Sequence, residues 1–459
     1  MRRFFLVLIL VLQTISLVQA QLILVPASSV NKQQLPKNIE TNYNQIPFVD
    51  DFSSYQGLPN QLKWQSTNVI VNSNYQFNPP TVGVVTLDVI DIFGKLYPNA
   101  TTTSFEADTL LSQPIRLDSI VSPTRQKLSK SDSIYFSFYI QPAGSNGQPW
   151  ETIGSLPSYS DSIILDFFSP ENGWEKVWAM GGIPLDSLFA QEKAYYKYVM
   201  IPIIEDKYFT KEFRFRFRNI ASLNNNPQLA YIGNCDQWNI DYVYLDKNRS
   251  ITDTVIRELA FVDPAPSMLK RYQAMPANQY TEQEIADSLQ IKIINLYSEA
   301  LSSVYKYFIK DEQENILHTY DGGFENISPY ITTLSYQDAL SHCRPIVDYN
   351  FPINEDNWQT FSIIHTIKEG VGQDVLASND TISFIQKFEN YFAYDDGSAE
   401  NGIGVEPIAG SHLAVAFDLN KSDTLTAVDI YFNSALNEAN LKQFYLCVWS
   451  SLNGIPYQM

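Results

Sequence analysis

Short runs in which apolar and polar residues alternate recur along the chain and predict strands. In residues 211–218, Phe213, Phe215 and Phe217 take every second position with Arg214, Arg216 and Arg218 between them. A strand there would turn phenylalanine to one side and arginine to the other. Residues 133–140 alternate over part of their length, and residues 162–168 form a more continuous apolar run, as a strand buried on both faces would. Further strand patterns lie at 238–245, 289–294, 304–309, 413–419, 424–432 and 444–449. Many short strands without helical periodicity predict antiparallel sandwiches, an all-β fold. One short helix is expected near residues 267–272, in a stretch that Pro264, Pro266 and Pro276 break into loops.

Turn-rich stretches divide the pattern. Residues 21–45 are polar and predict an exposed lead-in; 46–250, 251–388 and 389–459 each carry their own strands. The expected architecture is three tandem β-sandwiches, the middle one immunoglobulin-like. Apolar residues at 45% and aromatics at 14% supply enough material for real cores. Residues 1–20 are set apart as a cleaved export leader: Arg2 and Arg3 precede an apolar run from Phe4 to Leu12, and Val18 and Ala20 place small residues at a cleavage site. Gln21 rather than Cys directly follows that site, so a lipoprotein is not expected, and no later run approaches transmembrane length. The expected location is therefore secreted or at the outer cell surface. A net charge of −19 repels phosphate backbones and excludes nucleic acid as a partner. Cys235, Cys343 and Cys447 fall one to each expected unit, so no disulfide within a unit is predicted.

Several segments resemble large secreted β-sandwich proteins of Bacteroidetes, many of them associated with type IX secretion. The matching stretches are Phe48-Val49-Asp50-Asp51-Phe52-Ser53, residues 78–84, residues 238–249, residues 388–400 and residues 429–433. Tyr394-Asp395-Asp396-Gly397-Ser398-Ala399-Glu400 is the most specific. The resemblance implies a jelly-roll or lectin-like first unit, an immunoglobulin-like second and a partial jelly roll as the third, with surface or secreted placement and no assigned activity. Residues 389–459 hold too few strands to close a sheet, so a truncated product, or a unit completed by another chain, is expected. Proteins of the resembled group usually end in a sorting domain and none is read before Met459, which argues against type IX export though not against Sec export.

The search for catalytic motifs is mostly negative. His318, His342, His365 and His412 are scattered, with no H-E-x-x-H, G-x-S-x-G or P-loop pattern. Calcium is the expected cofactor, since it needs clustered oxygen ligands. Asp50 and Asp51 on the first strand and Asp241 on the closing strand form one candidate set, with Asn234 and Asp236 nearby in sequence; Asp395, Asp396 and Glu400 around Gly397 form another. The alternative for each set is a turn whose carboxylates accept backbone N–H groups. Trp150, Trp174 and Trp178 are candidates for a carbohydrate-facing surface. The tripeptide Asp-(Ser/Thr)-apolar occurs nine times, against about two expected by chance, placing Thr109, Ser119, Ser133, Ser162, Ser187, Thr254, Ser288, Thr381 and Thr424 after an Asp. It reads either as a turn opening a strand or, by resemblance, as the O-glycosylation sequon of Bacteroidetes. The expected function is a non-catalytic binding or scaffold protein, adhesive or glycan-binding, with a glycan or surface protein as partner. The alternative is an extracellular hydrolase or the accessory fragment of one.

Overall fold

The computed structural model describes residues 22–26, 43–93, 95–142, 161–223, 236–330, 340–355, 357–370, 375–397, 401–405, 412–432 and 443–449. The alternating Phe213, Phe215 and Phe217 are fully buried, as the pattern predicts. They lie on or beside the strand Arg214–Ala221, in a four-stranded antiparallel sheet with Gly173–Gly181, Ser162–Ser169 and Phe105–Leu111. A six-stranded sheet packs against its inner face. Its path runs Lys197–Pro202, Tyr135–Pro142, Trp238–Asp246, Val84–Leu87 and Ile70–Asn72, with Phe48–Asp50 also paired to Trp238–Asp246. Aromatic rings join the layers: Phe136 meets Phe215 at 4.5 Å between centroids, and Phe138 meets Phe217 at 4.8 Å. Burial of such rings is the main source of cohesion in a two-sheet fold.

The second module centres on a five-stranded sheet ordered Ala274–Pro276, Thr381–Glu389, Gln359–Glu369, Leu301–Lys310 and Ile316–Ile327. Leu301–Lys310 alternates buried and half-buried residues without a break, so one face is all core. A two-stranded sheet, Leu259–Phe261 with Ile293–Asn295, contributes Leu259, Phe261 and Ile293 to the same core as Tyr305, Ile309 and Ile363. The chain is thus all-β, built as tandem sandwiches. Among the described residues, no helix is long and apolar enough to cross a membrane.

Several expectations change. No helix forms at 267–272; the Met268 N–H donates to the Gln386 side chain at 3.1 Å and Leu269 bridges Ile285, so neighbours in space claim that backbone. A helix instead spans Leu185–Glu192, burying Leu185 and Leu188 and ending where Lys193 takes a left-handed φ of 57°. Within the expected lead-in, Leu22–Pro26 forms a strand that pairs antiparallel with Asn401–Val405. Residues 412–432 and 443–449 form no strand, although their patterns predict three. A strand needs a ladder partner, and large apolar residues such as Phe417, Tyr431 and Tyr445 remain exposed there. Residues 412–423 instead dock through polar contacts, such as Asn420 with Gln279 and Glu284.

Phe215 has four aromatic neighbours, Phe48, Trp64, Phe136 and Phe217. Phe215→Ala should cost about 3–5 kcal/mol in urea unfolding. A loss below about 1 kcal/mol would contradict this account of the core.

Candidate functional site at the module junction

The closing strand of the first sandwich carries an irregularity that makes the site. Along Trp238–Asp246, Asp241 pairs with Tyr139 and Tyr244 with Ser137, leaving Tyr242 and Val243 opposite the single residue Phe138. Tyr242 has φ 49°. This is a β-bulge, in which one extra residue shifts the alternation. Ile240 and Val243 can then both face the core, while Asp241 and Tyr242 between them are released toward the second module.

Asp241 lands beside Asp51. Both carboxylates are buried, and among the described residues their hydrogen-bond donors are all neutral. Asp241 accepts from the Thr81 N–H at 3.1 Å, the Thr81 hydroxyl at 3.0 Å and the Tyr242 N–H at 2.6 Å. Asp51 accepts from the Ser53 hydroxyl at 2.8 Å and, across the junction, from Asn379 Nδ2 at 2.9 Å. Asn379 is fully buried, and its Oδ1 has no hydrogen-bond partner among the described residues. Burial, followed by the Asp50 charge, raises the Asp51 pKa; burial and the Asp51 charge raise that of Asp241. The Tyr242 hydroxyl completes the contact by donating to Glu258 at 2.5 Å. The Val82 N–H donates to the Phe261 carbonyl at 2.9 Å, and Val82 packs in the second core rather than the first. Gly83 makes this crossing possible: its φ is 93°, and a Cβ there would sit 2.6 Å from the Phe52 carbonyl oxygen.

Asp50 does not join the pair. Its carboxylate faces the first core, accepting from Trp64 Nε1 and the Tyr55 hydroxyl, both at 2.6 Å, with Lys63 Nζ at 3.1 Å. Successive strand residues point to opposite sides, which separates Asp50 from Asp51. Asp236 is also elsewhere, accepting from the Ser222 N–H at 2.6 Å. Asp395 and Asp396 are exposed, and Asp395 accepts the Gly397 N–H at 2.6 Å, the turn reading of that segment. Asn234, Glu400 and Trp150 lie outside the described residues, as does the leader. Among the described residues, no three His, Cys, Asp or Glu side chains converge as a metal site. Thr81 and Asn379 were missed by sequence reading. Thr81 does fall in the segment 78–84 singled out above, but nothing local marks Asn379, 328 positions from Asp51.

The tryptophan candidates separate. Trp178 pairs with Leu165 and turns inward, its ring 5.2 Å from Phe138; Trp174 pairs with Phe168 on the outer face. A second bulge, where Leu165 and Asp166 oppose Trp178 and Lys176, puts residues four apart on opposite sides. Trp174 is half-buried beneath the Arg216 guanidinium, which lies 4.3 Å above its ring. Of the histidines, His342 and His365 are sealed in the second core. His342 Nδ1 bonds the Ser303 hydroxyl, His365 Nδ1 bonds the Tyr305 hydroxyl, and burial pushes His365 down to about 3. Cys343 is buried and Cys447 part-buried; Cys235 lies outside the described residues.

The nine Asp-(Ser/Thr) positions are not alike. Ser133, Thr254, Ser288, Thr381 and Thr424 are exposed; Thr109, Ser162 and Ser187 are half-buried, and Ser119 is buried. Ser119, Ser162 and Thr381 open strands as a turn-then-strand pattern requires, whereas Thr109 lies inside a strand and Ser187 inside the helix.

A second buried carboxyl pair, absent from the candidates above, sits in the first sandwich. Asp108 accepts the Asp88 N–H at 2.8 Å and a short bond from the Tyr97 hydroxyl. Burial pushes Asp88 up to about 7, and burial with the Asp88 charge raises Asp108.

No family model and no curated protein matches this chain. Among solved structures it is similar to a beta-glucuronidase from Parabacteroides merdae, at 11% identity and TM-score 0.25, covering 64% of this chain and 29% of that one. It is also similar to a beta-glucuronidase from Bacteroides uniformis, at 10% identity and TM-score 0.18, covering 64% and 28%. A beta-glucuronidase from Ruminococcus gnavus in complex with D-glucuronic acid shows 8% identity and TM-score 0.22, covering 74% and 47%. The chain spans less than half the length of each. At such scores the likeness carries no argument, and the fold class rests on the sheets described above.

A carboxyl more basic in the fold than in the unfolded chain holds its proton better when folded. The contribution of Asp88 is complete below about pH 4 and lost as pH rises through about 7. Asp88→Asn should therefore gain on the wild type by roughly 2–4 kcal/mol between about pH 4 and pH 7.5 in urea unfolding. A difference that stays constant across that range would refute the assignment.

Proposed function

We propose that this chain is an exported, non-catalytic binding and scaffold protein whose two sandwiches are locked in one relative placement, and that glycan is its binding partner. The junction carries the reading. Asp51 reaches Asn379, Tyr242 reaches Glu258 and Val82 reaches Phe261, so buried bonds from three separate segments hold one module to the other. Such bonds favour fixed presentation of surfaces over the relative motion usual at small polar domain contacts.

A calcium ion completes that junction. Two buried carboxylates without a cationic partner are costly, and either a proton or a metal must offset their charge. Calcium accepts carboxylate, amide and hydroxyl oxygens in flexible geometry, and Asp51, Asp241, Thr81 and the unbonded Asn379 Oδ1 offer that donor set. Calorimetry on chelator-stripped protein should give saturable heat with calcium, and calcium at about a hundred times Kd should add about 2.7 kcal/mol of stability. Asp51→Asn should abolish both effects. No heat and an unchanged melting temperature in the wild type would end the calcium reading.

The wider function is tested with a glycan array and a hydrolase panel run on the same preparation. Saturable glycan binding without turnover is expected. Reproducible turnover, lost on mutating a single carboxylate, would replace the scaffold reading with the hydrolase alternative.

A further inference from the structure

The outer face of the four-stranded sheet departs from the rest of the molecule in charge. The chain carries −19 overall, yet here Arg214, Arg216, Arg218 and Lys176 stand against only Asp166 and Glu106. Arg218 is spent internally: its Nε donates to Asp166 at 2.7 Å and its Nη1 to Glu106 at 3.0 Å. Among the described residues, Arg216 hydrogen-bonds through Nε alone, which donates to Asp166 at 2.8 Å. Arg214 has no carboxylate partner among the described residues, and its Nε is buried without a hydrogen bond.

Two aromatic rings hold these side chains in place. The Arg216 guanidinium lies 4.3 Å from the Trp174 centroid and that of Arg214 lies 5.5 Å from Phe168, while the two rings are themselves 5.2 Å apart. Stacking of this kind fixes a guanidinium in advance and leaves its planar Nη edge free for a bidentate acceptor. Alternate residues of one strand stand about 6.8 Å apart, so the two edges form a pair of receptors at fixed spacing.

We propose that this face binds an acidic polysaccharide, its uronate carboxylates received by Arg214 and Arg216 beside the Trp174 and Phe168 rings. Carboxylate matches the guanidinium edge in shape as well as charge. Repulsion from the acidic remainder of the chain is screened beyond about 8 Å at physiological salt, whereas contact pairs on the face are screened less. The inference rests on the glycan-binding reading and narrows it to one ligand class.

Affinity electrophoresis through polygalacturonate, with dextran as the neutral gel and polyglutamate as the acidic peptide, tests it. Wild type should be retarded by polygalacturonate alone, increasingly as salt is lowered. Arg214→Ala should weaken retardation at least tenfold and Arg214→Glu should abolish it. Arg214→Lys should restore only part of it. Arg214 carries no ion pair, so equal urea midpoints for these variants would show that the fold is kept. Equal retardation of Arg214→Glu and wild type overturns the proposal. So does equal retention by polyglutamate, which would mark a general anion surface. Retardation by dextran that Arg214→Glu leaves unchanged overturns it too, while the broader glycan-binding reading stands.

Discussion

An extra residue in one strand is what the two-module structure depends on. Without the bulge at Tyr242, strict alternation through Trp238–Asp246 could not place both Ile240 and Val243 in the core. With it, Asp241 and Tyr242 leave the first sandwich and become its polar contacts with the second. The shift stores strain in a left-handed tyrosine, a conformation that non-glycine residues adopt at a cost of order 1–3 kcal/mol. That cost is offset by buried hydrogen bonds that no regular strand would provide.

The junction is correspondingly polar. Hydrophobic contact between modules is non-directional, whereas a carboxylate bonded to an amide specifies one geometry. Asp51 and Asp241 supply direction and, once both are ionised, two negative charges that the surrounding neutral donors do not cancel. This separates them from Asp166 on the outer sheet, which two arginines neutralise, and from Asp50, which keeps Lys63 close. These four buried aspartates of one sandwich thus sit in three electrostatic settings.

The same device recurs on the second sheet. A bulge opposite Leu165 and Asp166 turns Trp178 into the core and leaves Trp174 outside, where it supports Arg216 rather than offering a bare ring. The aromatic surface expected from composition becomes a surface of guanidinium groups resting on aromatic rings. Its chemistry suits acids better than neutral sugars.

What the sequence by itself determined is whatever depends on period and composition. The phenylalanine and arginine alternation around residue 215 specified a two-faced strand, the continuous run near residue 165 a buried one, and the lack of helical spacing an all-β fold. It also brought forward Asp51 and Asp241, two of the four side chains that meet at the junction. Only the tertiary structure decided which carboxylates meet. Asp50 and Asp51 are neighbours in the chain and point apart, while Asp51 and Asn379 are far apart in the chain and share a hydrogen bond. A one-residue bulge reverses the facing of every residue after it, and alternation in the sequence does not mark where it falls. The strand patterns in residues 412–432 fail for a related reason: alternation describes a surface that could pair, and pairing depends on a neighbour the pattern does not contain.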